Sequence, residues 1–202
     1  MTEAHIFALG LALACLAGVR AYLTVFGVGI AGLMGWVDLP SALAVTTSPW
    51  VLGTAGALAV VEFAADKIPG VDSGWDLLQT LARIPAGAFL AAATLSDDGQ
   101  LAGGALALGA TAALGTHLLK SGTRAVINAS PEPVSNWAAS AGEDVAALGA
   151  LGLVFAYPWA ALALLLAVLG IAALVVFWVA RWVWRRTAGS KGIIQGQPGA
   201  TR

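Results

Sequence analysis

Acidic side chains occur in two close pairs where the chain is otherwise apolar. Glu62 and Asp66 end the apolar run from Trp50 to Val61, and their spacing of four residues places both on one face of a helix. Glu143 and Asp144 are adjacent, about a third of the way along a later apolar segment. Charge inside a bilayer is costly and usually marks a functional site. We therefore predict that the two pairs bind a cation or relay protons.

Neutral and basic side chains accompany the acids. Asn128 and Asn136, in the polar stretch from His117 to Asp144, offer neutral ligands to a solute or an ion. Arg20 and Arg124 keep their protons, so each needs an anionic partner if it is buried. The predicted substrate- or ion-binding residues are Glu62, Asp66, Glu143, Asp144, Asn128, Asn136, Arg20 and Arg124.

A purely structural interpretation exists for many of these charges. Asp66 and Lys67 fall near a predicted helix end, where the segment from Lys67 to Gly74 would form a cytoplasmic turn that needs no functional account. Arg83 would make a structural salt bridge or extend to the inner surface. Glu62 lies about one turn inside its predicted helix. Exposure to water at a helix end therefore explains the Glu62 charge less well than it explains the other charges.

The composition is that of a membrane protein. Of 202 residues, 59% are hydrophobic and only 10% are charged, against about 25% charged in ordinary soluble domains. The expected fold is all-α: a polytopic protein of about six transmembrane helices in one domain, residues 1–186, followed by a disordered cytoplasmic tail, 187–202. The predicted crossings lie within Ala4–Val37, Trp50–Ala65, Trp75–Leu95, Leu101–Leu119, Trp137–Tyr157 and Trp159–Trp184.

Basic residues set the expected orientation. Arg181, Arg185, Arg186 and Lys191 follow the last apolar run, which predicts a cytoplasmic C-terminus in a multi-pass protein of the cytoplasmic (inner) membrane. The expected partners are membrane lipids and a small ion or solute. No basic nucleic-acid patch occurs, and formation of a homo-oligomer is left open.

The first apolar segment is longer than one crossing, and Arg20 falls at its middle. A charge at the centre of a bilayer helix costs at least about 2.5 to 3.5 kcal/mol. Two interpretations stay open. One is a single tilted or broken helix, and the other is a re-entrant pair of half-helices that enter and return, which would place the N-terminus outside.

Six crossings divide into halves of three, residues 1–96 and 101–186, which would run in opposite directions as in an inverted repeat. The stretch AGVRA, residues 17–21, is similar to SGTRA, residues 121–125, and acids follow each. The distance from Arg to Glu differs strongly between the halves, 20 to 62 against 124 to 143. The repeat is therefore a suggestion.

Four stretches resemble a bacterial integral-membrane family catalogued only as a domain of unknown function. They are GVRAYLTVFGVG (18–29), EFAADKIPGVDSGWD (62–76), RIPAGAF (83–89) and SGTRAVINASPEPVSNWAASAGEDV (121–145). The resemblance covers roughly residues 4–166 and implies no particular activity.

A weaker likeness concerns EFAADK, residues 62–67, which is similar to the acidic signature of a manganese and calcium exporter family. That family carries one copy in each inverted half. Here Glu62 and Asp66 are one residue further apart, no glycine precedes Asp66, and the second copy would be Glu143 with Asp144. The likeness implies a bound cation, and the identity of any metal is left unknown.

The leading hypothesis is a small secondary transporter that moves a cation or small polar solute by alternating access, using intramembrane carboxylates. A lipid-phosphate flippase or binding protein, with Arg20 and Arg124 as a phosphate clamp, is an alternative. A structural membrane subunit is another. No nucleophile and base pair is visible, so we expect no enzymatic activity and no cofactor.

Overall fold

All regular structure in the described part of the chain is helical, which confirms the all-α prediction. The computed structural model describes residues 2–68, 71–96, 101, 103–128 and 133–194, without the side chains of 72, 73, 126–128, 133–136, 183 and 186–194. The helices are α1 (Glu3–Leu33), a 3₁₀ segment (Ser41–Thr47), α2 (Pro49–Ala65), α3 (Val71–Thr94), α4 (Gly103–Asn128), α5 (Pro133–Ala156) and α6 (Pro158–Ile194).

Four of these helices are long and apolar enough to cross a bilayer: Glu3–Leu33, Gly74–Thr94, Trp137–Ala156 and Pro158–Trp182. The 3₁₀ segment and α2 meet at 66°, and together they are also long and apolar enough to cross a bilayer. The predicted fourth crossing, now α4, is not among the helices that qualify within the described residues. The membrane-like character is confirmed, whereas the count of six crossings, the inverted repeat and the orientation stay predictions.

Local sequence explains where the helices begin. The Thr2 side chain accepts a hydrogen bond from the His5 backbone N–H at the start of α1. Ser48 caps α2 through the Val51 N–H, and Pro49 occupies the first turn, where a missing N–H costs nothing. Pro158 begins α6 directly after α5. That helix continues to Ile194, beyond the predicted end at Trp184, and the disorder expected for residues 187–202 stays a prediction.

α1 is broken at Arg20, whose φ of −143° and ψ of 79° are not helical. Ile6, near the start of α1, and Trp36, just after its end, line one cavity of about 500 Å³ together with Thr94 and Phe155. A straight helix of this length would extend about 46 Å, so its two ends can reach one cavity only if it doubles back. The structure therefore favours the returning pair: a first arm (residues 3–19) and a second arm (residues 21–33) that meet at Arg20.

The other helices pack around these two arms. Gly10 of the first arm lies against Thr94 and Ala14 lies against Gly87, so α3 runs antiparallel to that arm. α3 and α5 both end at the 500 Å³ cavity, and α6 starts beside it and passes Gly122 of α4 at Val176. The beginning of α1 and the end of α6 consequently lie at opposite ends of the bundle.

α3 and α4 approach each other closely because both present glycine. A Cβ added at Gly87 would lie 3.1 Å from the Gly109 carbonyl oxygen, and one added at Gly109 would lie 3.0 Å from the Ala88 Cα. Small residues permit such backbone contact between membrane helices. One turn earlier on α3 and two turns later on α4, the same approach brings Arg83 and His117 within hydrogen-bond distance.

Gly109→Val should lower the free energy of unfolding by about 1–3 kcal/mol, because the added carbons overpack the α3–α4 contact. Gly115→Val is the matched control, since it places the same residue in the same helix where a Cβ would meet nothing within 4 Å. Unfolding in mixed detergent micelles measures both. Equal losses in the two variants would contradict the close contact.

A doubled-back α1 also predicts that the two ends of the chain lie on opposite sides of the membrane. In a Cys15→Ala background, Glu3→Cys and Arg185→Cys should react with an impermeant thiol reagent from opposite faces of sealed vesicles. Labelling of both cysteines from the same face would instead indicate a single crossing in α1.

Candidate functional site

Ten charged side chains from α1 to α5 and the segment after α2 form one continuous set of ion pairs, which we call the charge network. Five of these described side chains are acids and five are bases, so their formal charges cancel. Its members are Glu62, Asp66, Asp76, Glu143, Asp144, Arg20, Lys67, Arg83, Lys120 and Arg124.

Arg20 lies at the break in α1 and connects two other parts of the bundle. Its Nη1 is 2.8 Å from Oδ2 of Asp66, the residue that caps the end of α2. Its Nη2 donates to Oδ1 of Asp144 on α5. The Arg20 side chain is only 2% exposed, so these carboxylates supply the negative charge that a buried guanidinium requires.

Two backbone carbonyl groups at the break have side-chain donors. A broken helix leaves carbonyl oxygens without intrahelical partners, and in an apolar surrounding each must find another donor. Lys120 Nζ lies 3.4 Å from the Val19 oxygen, and the Thr24 hydroxyl donates to the Arg20 oxygen at 2.7 Å. The Lys120 ammonium thus also meets the negative end of the first arm's dipole.

Glu62 and Arg83 form a fully buried pair. Glu62 Oε1 is 3.0 Å from Arg83 Nη2, with side-chain exposures of 1% and 0%. Arg83 Nη1 also lies 2.9 Å from Asp76 Oδ1 and 2.8 Å from His117 Nδ1. A guanidinium only donates, so Nδ1 accepts, and the imidazole is neutral with its proton on Nε2, 2.7 Å from the Thr80 hydroxyl.

Lys120 joins the pairs into one network. Its Nζ lies 3.2 Å from Asp66 Oδ2, 3.6 Å from Asp76 Oδ1 and 3.8 Å from Glu143 Oε2. Glu143 is held in turn by Arg124, whose Nε and Nη2 each lie 3.0 Å from one carboxylate oxygen. Such two-point contacts fix orientation as well as charge.

Several buried polar atoms have no hydrogen-bond partner among the described residues. Two of them, Arg20 Nε and Glu62 Oε2, belong to residues that line a cavity of about 100 Å³, together with Asp144. That volume has room for about three water molecules. Gln79 and Ser140 are also buried with unpartnered polar atoms. The interior therefore offers donors and acceptors that the described side chains do not use.

Three cavities follow one another along the contact between the second arm and α5. Leu23 and Leu148 line both the 100 Å³ cavity and an apolar groove of about 490 Å³. Trp36 and Phe155 line both that groove and the 500 Å³ cavity at the end of the bundle. The three neighbouring cavities thus extend from the charge network to one end of the protein.

The structure brings most of the predicted site residues together. Glu62, Asp66, Glu143, Asp144, Arg20 and Arg124 all belong to the charge network. The side chains of Asn128 and Asn136 lie outside the described residues, so their proposed role stays a prediction. The predicted ligand role of the other six also stays a prediction. Their side chains do lie close together, as a shared binding site requires.

The sequence analysis did not include Lys67, Asp76, Lys120 and His117 in the site, and for Arg83 it expected a structural salt bridge, which is present, or an extension to the inner surface, which is not. Arg83 does not extend to the inner surface, because Glu62 and Asp76 hold it in the interior. Helical spacing contains the missing signal. Residues 76, 80 and 83 share one face of α3, and residues 117, 120 and 124 share one face of α4.

The cation that the exporter likeness implies stays a prediction. No group of three His, Cys, Asp or Glu side chains suited to a metal ion occurs among the described residues. Each acid of the network contacts at least one base among the described residues.

A family model described as "Domain of unknown function (DUF4126)" matches residues 7–181. The matched range includes every member of the charge network. No curated protein and no solved structure matches the chain.

Arg83→Met should destabilise the protein by about 3–5 kcal/mol, because it leaves buried carboxylates without their counter-charge. Arg181→Met, at an exposed position of α6, is the control and should cost little. Adding Glu62→Leu to Arg83→Met should restore part of the loss by removing one unpaired acid. Equal unfolding free energies for Arg83→Met and Arg181→Met in mixed micelles would contradict the buried pair.

Proposed function

Since the chain belongs to the DUF4126 family, whose description states no activity, we propose from the site itself that the protein is a small secondary transporter. It moves a small polar solute or cation by alternating access, and the carboxylates of the charge network couple that movement to a proton or cation. The observation that carries this proposal is the break of α1 at Arg20 inside the charge network.

Broken membrane helices are a recurrent feature of transporter binding sites, because half-helix ends present unpaired backbone groups and dipole charge to a ligand. Here the first arm ends at Val19 beside Lys120, and Arg20 stands between carboxylates of different helices. The neighbouring 100 Å³ cavity is lined by Arg20, Glu62 and Asp144. The proposed solute site is this cavity and the break beside it.

Stability alone gives a poor account of the charge network. Desolvation of a buried ion pair often offsets its Coulombic gain, and well-packed apolar residues are frequently as stable or more so. Five acids and five bases are therefore a costly way to hold five helices together. Charges retained inside a membrane protein are more simply explained by function.

Neutrality of the network makes an exchange of partners feasible. Glu62 is held through Oε1 by Arg83, while its Oε2 has no partner among the described residues. A proton taken up at Oε2 would cancel the Glu62 charge and leave Arg83 more strongly bound to Asp76. Arg20 connects α2 to α5 through Asp66 and Asp144, so loss of either pair would weaken the connection between these helices.

The flippase alternative receives less support from the geometry. A phosphate clamp needs guanidinium groups that are available to the phosphate. Arg124 is engaged at two points by Glu143, and Arg20 is shared between Asp66 and Asp144. Carboxylates thus occupy the positions that phosphate oxygens would take.

Proton flux in proteoliposomes tests the proposal. Vesicles that contain a pH-sensitive dye are exposed in turn to amino acids, alkylammonium salts and monovalent metal chlorides. At least one class should produce proton movement that depends on the protein. Glu62→Gln should reduce that movement to background, because an amide cannot carry the proton.

Glu3→Gln is the matched control, since Glu3 is an exposed acid at the start of α1. It should keep the wild-type rate. Wild-type flux in Glu62→Gln would contradict the coupling role, and absence of flux with every solute class would contradict transport.

A further inference from the structure

Lys67 differs from the other four bases of the charge network. It lies just beyond the cap of α2, and its side chain is 13% exposed. The Arg20, Arg83, Lys120 and Arg124 side chains are at most 5% exposed. Lys67 is consequently the base that can leave the network with the smallest change elsewhere.

The surroundings of the Lys67 ammonium group are those of an ammonium-binding site. Its Nζ lies 2.7 Å from Asp144 Oδ2, 3.1 Å from the centre of the Phe63 ring and 5.8 Å from the Trp137 ring. A carboxylate combined with aromatic faces is the arrangement that recognises organic ammonium ions. We call Phe63, Trp137 and Asp144 the ammonium cage.

If the Lys67 ammonium group leaves the charge network, another positive charge must replace it. Without Lys67, five acids face four bases among the described members of the network, which leaves one negative charge more than before. An uncompensated buried charge is strongly destabilising. A monovalent cation that binds in the cage restores neutrality, whereas a divalent cation would overshoot it.

The adjoining cavity offers such a cation two carboxylates, and the Arg20 guanidinium that also lines it is paired with Asp66 and Asp144. Phe63 and Asp144 belong to the cage and also line the 100 Å³ cavity. Glu62 lines it as well, fully buried, with Oε2 unpartnered among the described residues. An ammonium ion there can donate to Asp144 and to Glu62 while its carbon atoms contact Phe63.

We propose that the ammonium cage and the adjoining cavity form the binding site for a small monovalent organic ammonium ion, and that Lys67 is a tethered occupant which this ion displaces. The inference rests on the proposed transporter function and names its substrate class. Displacement of Lys67 exchanges one positive charge for another, so the network stays neutral. It also releases the segment after α2 from Asp144 on α5.

Isothermal titration of the full chain with ethylammonium chloride in detergent micelles tests this assignment. Lys67→Ala removes the tethered competitor, so it should bind ethylammonium at least about tenfold more tightly than the wild type, since apparent affinity scales with the unoccupied fraction of the site. Lys67→Arg keeps a tethered cation and should bind like the wild type. Lys67→Met, which retains the apolar stem, is a second variant that should behave like Lys67→Ala.

Two further measurements test whether binding requires an organic cation and whether it requires Asp144. Sodium chloride at the same concentration should not reproduce the heat, and adding Asp144→Asn to Lys67→Ala should abolish it. The proposal is overturned if the wild type, Lys67→Ala and Lys67→Met bind ethylammonium with equal affinity. It is also overturned if sodium chloride releases or absorbs the same heat as ethylammonium chloride, or if ethylammonium still binds after Asp144→Asn. Binding without any ethylammonium flux in vesicles would contradict the transporter and leave the cage intact.

Discussion

A buried guanidinium at a break in a membrane helix is the constraint on which the rest of this structure depends. Arg20 cannot lose its proton, and the break exposes carbonyl groups where water is scarce. Asp66 from the end of α2, Asp144 from α5 and Lys120 from α4 resolve both problems at once. The relative positions of these helices follow from that requirement.

Charge balance explains why the network is so extensive. Each base that neutralises one acid must itself lie close to others, and Lys120 contacts three carboxylates on three different elements. The close α3–α4 contact at Gly87 and Gly109 permits this crowding. A neutral network can rearrange without leaving a buried net charge, which is the property that a moving membrane protein needs.

The sequence predicted the all-α membrane fold and the principal acids, because charge within apolar runs is visible without a structure. It did not show that α1 doubles back, since that depends on Ile6 and Trp36 lying at one cavity with the ends of α3 and α5. Lys67 was assigned to a solvated turn because Pro and Gly follow it closely. Only the tertiary structure shows that its side chain reaches Asp144.

Cysteine accessibility at Ala59 reports whether the cavity beside Arg20 opens to both sides of the membrane in turn. Ala59 lines that cavity, and Ala59→Cys in a Cys15→Ala background provides one reporter thiol. In sealed vesicles with a single protein orientation, we expect reaction with an impermeant thiol reagent applied to either face, with ethylammonium shifting the balance between the faces. Reaction from only one face under all conditions would contradict alternating access and indicate a structural role for the charge network.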